Sequence, residues 1–203
     1  MSFVEDHTVD MVVAGQAAHW FDQSRLFPEL KRVMRPGGTL AFWGYKDFVF
    51  VDYPRATAVL NQYTYGTGER YLGDYWSQPG RSIVQDKLRA IHPPESEWSD
   101  TTRIEYEPGA AGPGTGQGTM FINKRMKLGE VEEYIRTWST VHAWAEAHPK
   151  AKRKRDGGAG DVVDELLEEM LKAEDGLQLP GINWAEKEVE AEWGSALLLA
   201  CKK

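Results

Sequence analysis

Val9-Asp10-Met11-Val12-Val13-Ala14, a helically spaced segment carrying Leu26, Leu30, Val33 and Met34, and then Thr39-Leu40-Ala41-Phe42-Trp43-Gly44 make up the stretch that decides the fold. The first run is almost continuously apolar and too short for a helix, which predicts a strand covered on both faces, as in a parallel sheet. Between the two runs the apolar residues recur at helical spacing, so the segment buries one face. Lys31, Arg32 and Arg35 stand where a helix C-terminus favours cations. Pro36-Gly37-Gly38 then stops the helix, since proline cannot continue it and glycine accepts the left-handed cap. The unit reads strand-helix-strand. Two parallel neighbouring strands follow, with loops at their carboxyl ends where open α/β sheets bind ligands.

Moving outward, Pro54 opens a predicted helix whose face is Ala56, Val59, Leu60 and Tyr63, ended by Gly66-Thr67-Gly68. Phe48-Val49-Phe50-Val51 reads as a short strand or a packed loop. Tyr71, Tyr75 and Trp76 cluster before Pro79-Gly80, and a second helix is expected from Ser82 to Ile91. These aromatics suit either an apolar wall with polar tips or ordinary core. Arg103 to Glu107 and Gly118 to Lys127 read as strands. One helix is expected from Glu130 to about Ala147, with Val131, Tyr134, Ile135, Trp138, Val141, His142 and Ala145 on one face and Trp138 and His142 one turn apart. Lys150 to Arg155 is a basic run that fits an import signal or an anion site, but its place between a helix stop and Asp156-Gly157-Gly158 favours a solvated loop. Asp161 caps a helix through Val162, Leu166, Leu167, Met170 and Leu171, closed by Gly176. The segment from Trp193 to Cys201 reads as a last buried strand.

The Val9–Gly44 pattern, with Ala17-Ala18-His19-Trp20-Phe21 after the first strand and Arg35-Pro36-Gly37-Gly38 before the second, resembles the fourth strand, its helix and the fifth strand of class I S-adenosylmethionine-dependent methyltransferases. Within them, His19-Trp20-Phe21 and Thr137-Trp138-Ser139 look most like the fungal trans-aconitate methyltransferase group. The resemblance implies an α/β, Rossmann-like sheet. Residues 1–45 would be its strand-helix-strand core, 46–100 a lid-like helical insertion and 101–203 the late strands and helices, all one incomplete domain. It implies methyl transfer from S-adenosylmethionine to a small carboxylate, with Ala14, Gly15, Gln16, His19 and Trp20 bordering the cofactor. Trp43, Tyr45, Tyr75, Trp76 and Trp138 would face the acceptor. The last strand would run antiparallel beside the fifth.

Such enzymes carry a glycine-rich cofactor loop on an earlier strand, and these 203 residues contain none. Gly109, Gly112, Gly114, Gly116 and Gly118 follow Glu107-Pro108 and are interrupted by Pro113, whereas a cofactor loop needs a buried strand before it and a helix after. The expectation is therefore a truncated methyltransferase, with a non-catalytic remnant serving as a binding module as the alternative. Self-association through the strand Val9 to Ala14 is expected if its outer edge is bare.

A carboxylate acceptor is ionised at neutral pH and needs no general base, so no catalytic residue is assigned. His19 would serve a hydroxyl acceptor. Its plainer role is to shape the loop and hydrogen-bond a backbone carbonyl. A net charge of -7 opposes nucleic-acid and anionic-membrane binding. The one cysteine, Cys201, excludes an internal disulfide and reads as a buried thiol. No metal-ligand spacing occurs, no apolar run reaches spanning length, and a cytoplasmic location is the expectation.

Overall fold

The computed structural model describes residues 3–178, 181 and 183–203. Its centre is the expected unit: β1 (Val9–Gly15), α1 (Gln23–Val33) and β2 (Met34–Phe50). β1 and β2 are parallel, with Val12 opposite Leu40 and Ala14 opposite Phe42. Asp22 starts α1 by accepting the Ser24 amide at 3.0 Å, and Leu26, Phe27, Leu30 and Val33 form its buried face. At the other end the buried ammonium of Lys202 meets the carbonyls of Lys31 and Met34 at 2.5 and 2.6 Å, a cation on the negative end of the helix.

Following β2 come α2 (Pro54–Tyr65), α3 (Gly80–Gln85), β3 (Trp98–Glu107), β4 (Gln117–Gly118), β5 (Asn123–Lys127), α4 (Leu128–Arg136), α5 (Ser139–Ala147), α6 (Val162–Ala173) and β6 (Glu188–Lys202). Among the described residues the sheet order is β1-β2-β6-β3-β4, with β5 also on β6. The last strand is antiparallel to β2 as expected, with Phe42 opposite Leu198. It is central: β2 lies along one side, and β3 and β5 share the other. Two cores result. α1 covers one around Leu30, Leu40 and Phe42, and α2, α4, α5 and α6 cover the other around Phe48, Leu60, Val131 and Leu166.

Several expectations are corrected. β1 is not covered on both faces: Met11 and Val13 are 57% and 60% exposed, because α1 packs on one face only and no described element packs on the other. Phe48 to Phe50 are neither loop nor separate strand but the end of β2. The helix predicted from Ser82 stops at Gln85, where Lys87 and Leu88 take positive φ. Gly118 to Lys127 is broken into β4 and β5. The long helix is two: Thr137 Oγ1 donates to the Tyr134 carbonyl at 2.7 Å, and Trp138 turns extended (φ −67°, ψ 136°) before α5 begins. A side-chain hydroxyl that competes for helix carbonyls is a known helix breaker. His142 is consequently exposed and makes no core pair with Trp138. α6 ends at Ala173, ahead of Gly176. Cys201 is half-buried. The basic run from Lys150 to Arg155 is a largely exposed loop as expected, with Arg153 and Arg155 pairing with Glu133 at 2.9 and 3.3 Å.

Candidate active site

Three segments meet beyond the carboxyl end of β1. They are the loop from Gln16 to Phe21, a bulge in β2, and the α4–α5 break, and a fourth segment, Trp76 to Val84, closes the cavity between them. Gln16 sits at φ +49° and continues β1 with its side chain. Its Nε2 donates to the Tyr45 carbonyl and its Oε1 accepts the Tyr45 amide, both at 2.8 Å. The amide thereby pairs Tyr45 as a strand residue would. Gln16→Ala removes both partners, and a loss of about 1–3 kcal/mol in denaturant unfolding is expected from the orphaned backbone groups.

Just past Tyr45 the register between β2 and β6 shifts, leaving Lys46 and Asp47 outside the regular ladder before Phe48 rejoins it opposite Trp193. Bulges re-aim side chains, and here Asp47 reaches the cavity. Its carboxylate accepts from Arg81 and from the Tyr65 hydroxyl, and Arg81 also donates to that hydroxyl at 2.7 Å. Asp47 and Arg81 are each only 11% exposed at the side chain. The Arg81 guanidinium lies 3.8 Å from the Trp76 ring centroid, a contact that strengthens out of water. Trp76 is fixed by its indole N–H to the Thr64 carbonyl at 2.9 Å.

The cavity so formed has a volume of about 260 Å³. Gln16, His19, Lys46, Asp47 and Arg81 supply polar lining, interleaved with the aromatic walls Tyr45, Trp76, Tyr134 and Trp138. Trp76 and Trp138 pack on one another in this lining, with ring centroids 5.9 Å apart. His19 is 8% exposed and its Nδ1 has no hydrogen-bond partner, so the backbone carbonyl bond expected of it is not made. Burial, and secondarily the positive charge of Arg81, push its pKa below the usual 6.5. The unfolded chain then binds a proton that the folded one refuses. Stability is complete above pH about 6.5 and declines as pH falls from there towards the depressed folded value. Denaturant midpoints at pH 7.5 and 5.5 should differ less in His19→Gln than in the parent.

Of the residues singled out from sequence, Gln16, His19, Trp20, Tyr45, Trp76 and Trp138 line this cavity. Ala14 is buried in the α1 core, and Gly15 and Trp43 pack together at the strand ends. Tyr75 packs on His148 with ring centroids 6.1 Å apart, away from the cavity. Sequence reasoning missed Asp47, Tyr65, Arg81 and Tyr134. One signal for Arg81 existed: it is the single basic residue between Arg70 and Lys87, inside the aromatic cluster. Among the described residues no group of acids, histidines and cysteine is arranged to hold a metal, and no helix is long and apolar enough to cross a membrane.

Comparison with known proteins converges on one family. Residues 2–42 match a family model described as a methyltransferase domain. Over 210 residues the chain is 30% identical to the "Probable S-adenosylmethionine-dependent methyltransferase CRG1" of Saccharomyces cerevisiae, covering 100% of this chain and 66% of that protein. A relative from Dictyostelium discoideum, named "Putative methyltransferase", is 28% identical over 82% of this chain and 51% of its own length. The solved structure of "a Putative Type II Methyltransferase" from Anaeromyxobacter dehalogenans superposes with a TM-score of 0.58 at 25% identity, over 97% of this chain and 66% of that one. The chain thus spans about half to two thirds of the length of these relatives. By its sheet and by its relatives alike, the chain is similar to class I S-adenosylmethionine-dependent methyltransferases.

Proposed function

We propose that this chain forms the acceptor side of a methyltransferase that transfers a methyl group to the carboxylate of a small molecule, in the manner of the trans-aconitate methyltransferase group. One observation carries the reading: a cavity lined by aromatic side chains interleaved with a few polar and charged ones, at the carboxyl end of a parallel strand pair, where such sheets bind ligands.

The family implies S-adenosylmethionine, and the residues present fit it along one side. At the strand ends the Trp43 indole lies against the Gly15 backbone, where an added Cβ would come within 2.7 Å of it. Trp43 and Trp20 remain 38% and 60% exposed, which leaves flat aromatic surfaces open for a nucleoside. Asp22, the nearest acid in sequence, is already engaged with Ser24. The backbone of Ala14, Gly15 and Gln16, with His19 and Trp20, would border the cofactor. When bound, it supplies an electrophilic methyl on a sulfonium sulfur; a carboxylate oxygen forms the new bond to carbon, the carbon–sulfur electron pair stays on sulfur, and no proton moves.

The residues of this chain orient the acceptor and keep water from it. Methylation removes the carboxylate's charge, so a naked cation beside it would favour the reactant over the transition state. Arg81 is compensated by Asp47. It can therefore orient an acid without binding its charge too strongly.

Calorimetric titration of the folded chain with S-adenosylhomocysteine tests the reading. Saturable micromolar binding, followed by methyl transfer to carboxylic acids, is the expected result. A folded sample that releases no heat would instead favour a non-catalytic binding module.

A further inference from the structure

We infer that the acceptor is an amphipathic acid with an extended apolar chain, and that this chain passes between Tyr45 and Tyr134 into a second cavity. The inference rests on the carboxylate reading above and specifies what the rest of the acceptor looks like.

A second cavity of about 340 Å³ lies against Ile122, Met126 and Trp193, and two of its walls, Tyr45 and Tyr134, are also walls of the first. The partition between the two is therefore a pair of aromatic side chains rather than backbone. Both are half-buried, and rotamer changes of side chains that line a binding site are common on binding. The first cavity mixes polar and aromatic lining, Gln16, His19 and Arg81 with Trp76 and Trp138, whereas the second offers the apolar side chains of Ile122, Met126 and Trp193 beside Asn123 and Lys124.

Charge narrows the ligand further. Both cations lining the first cavity are already compensated, Arg81 by Asp47 and Lys46 by Glu107 at 2.6 Å. A ligand with several negative charges would find no unpaired cation among the residues lining the first cavity, where burying its extra charges would be costly; Lys124, which lines the second cavity, is exposed to solvent. A single carboxylate can share Arg81, and its affinity must come from apolar contact. Met120 and Phe121, 40% and 43% exposed just before Ile122, extend the apolar surface beyond the second cavity.

The test is equilibrium binding of butyrate, hexanoate, octanoate and decanoate to the 203-residue chain, followed by tryptophan fluorescence. The expected result is an affinity that rises about fourfold per added methylene, the fold-change equivalent to about 0.8 kcal/mol for each buried CH₂. Ile122→Trp should fill the second cavity and abolish the gain in affinity from butyrate to the longer acids. Should that variant fail to fold, Asn123→Trp at the exposed mouth makes the same test. Affinity independent of chain length, no binding of any acid, or an unchanged series in the blocked variant would each overturn the inference. Binding needs no methyl donor, so length-dependent binding without methyl transfer would sink the methyltransferase reading alone. Methylation of short acids without length dependence would sink this inference alone.

Discussion

Phe48→Ala is expected to lower the unfolding free energy by about 3–5 kcal/mol, the range for removing a buried aromatic ring and leaving a cavity. Phe48 is 1% exposed. Its ring stands 5.2 Å from Phe50, 5.4 Å from Trp193, 5.9 Å from Tyr134 and 6.3 Å from Trp138, centroid to centroid. Two of those neighbours are walls of the first cavity. The substitution should thus weaken acid binding as well as stability, whereas Phe48→Leu, which keeps most of the volume, should cost far less. Urea denaturation of the three proteins decides it. A loss below about 1 kcal/mol in the alanine variant would show that the aromatic cluster is looser than its ring distances imply.

Asp47→Ala is expected to be nearly as damaging, by about 3–5 kcal/mol, because it strands the Arg81 guanidinium in a site closed to water. The pair itself need not stabilise the fold, since desolvating two charges offsets much of their attraction. Replacing both residues, as in Asp47→Ala with Arg81→Leu, should therefore cost less than Asp47→Ala alone. That sign of non-additivity distinguishes a stranded charge from a general loss of packing. Arg81→Leu on its own should lose acid binding, because it removes the guanidinium from the cavity lining and leaves the Asp47 carboxylate there.

The strand-helix-strand unit was legible because each of its signals is local. An apolar run, a helical period and Pro36-Gly37-Gly38 suffice, and the parallel pairing of β1 and β2 follows from them. The cavity was legible only in part. Tryptophans announce themselves by size, so Trp76 and Trp138 were singled out, but Asp47 and Arg81 meet across 34 positions through a bulge that no periodicity records. The helix break at Thr137-Trp138 was hidden for a related reason. The apolar spacing continues through it, and only the competition of a threonine hydroxyl for one carbonyl ends the helix. The exposed face of β1 was missed because an apolar strand shows that it prefers cover, not that a neighbour is present to provide it.

The position of β6 has a consequence for how the chain is made. It is the strand on which β2, β3 and β5 all depend, yet it occupies Glu188–Lys202. During synthesis those three strands leave the ribosome with no partner between them, and their ladders close only once residues 188–202 have emerged. Pairs such as Thr39 with Cys201 span most of the chain, so loop closure must precede any gain from them. In the nascent protein one side of β2, one side of β3 and all of β5 accordingly stay unpaired until residues 188–202 have emerged, and holdase chaperones have their longest opportunity to bind during that interval.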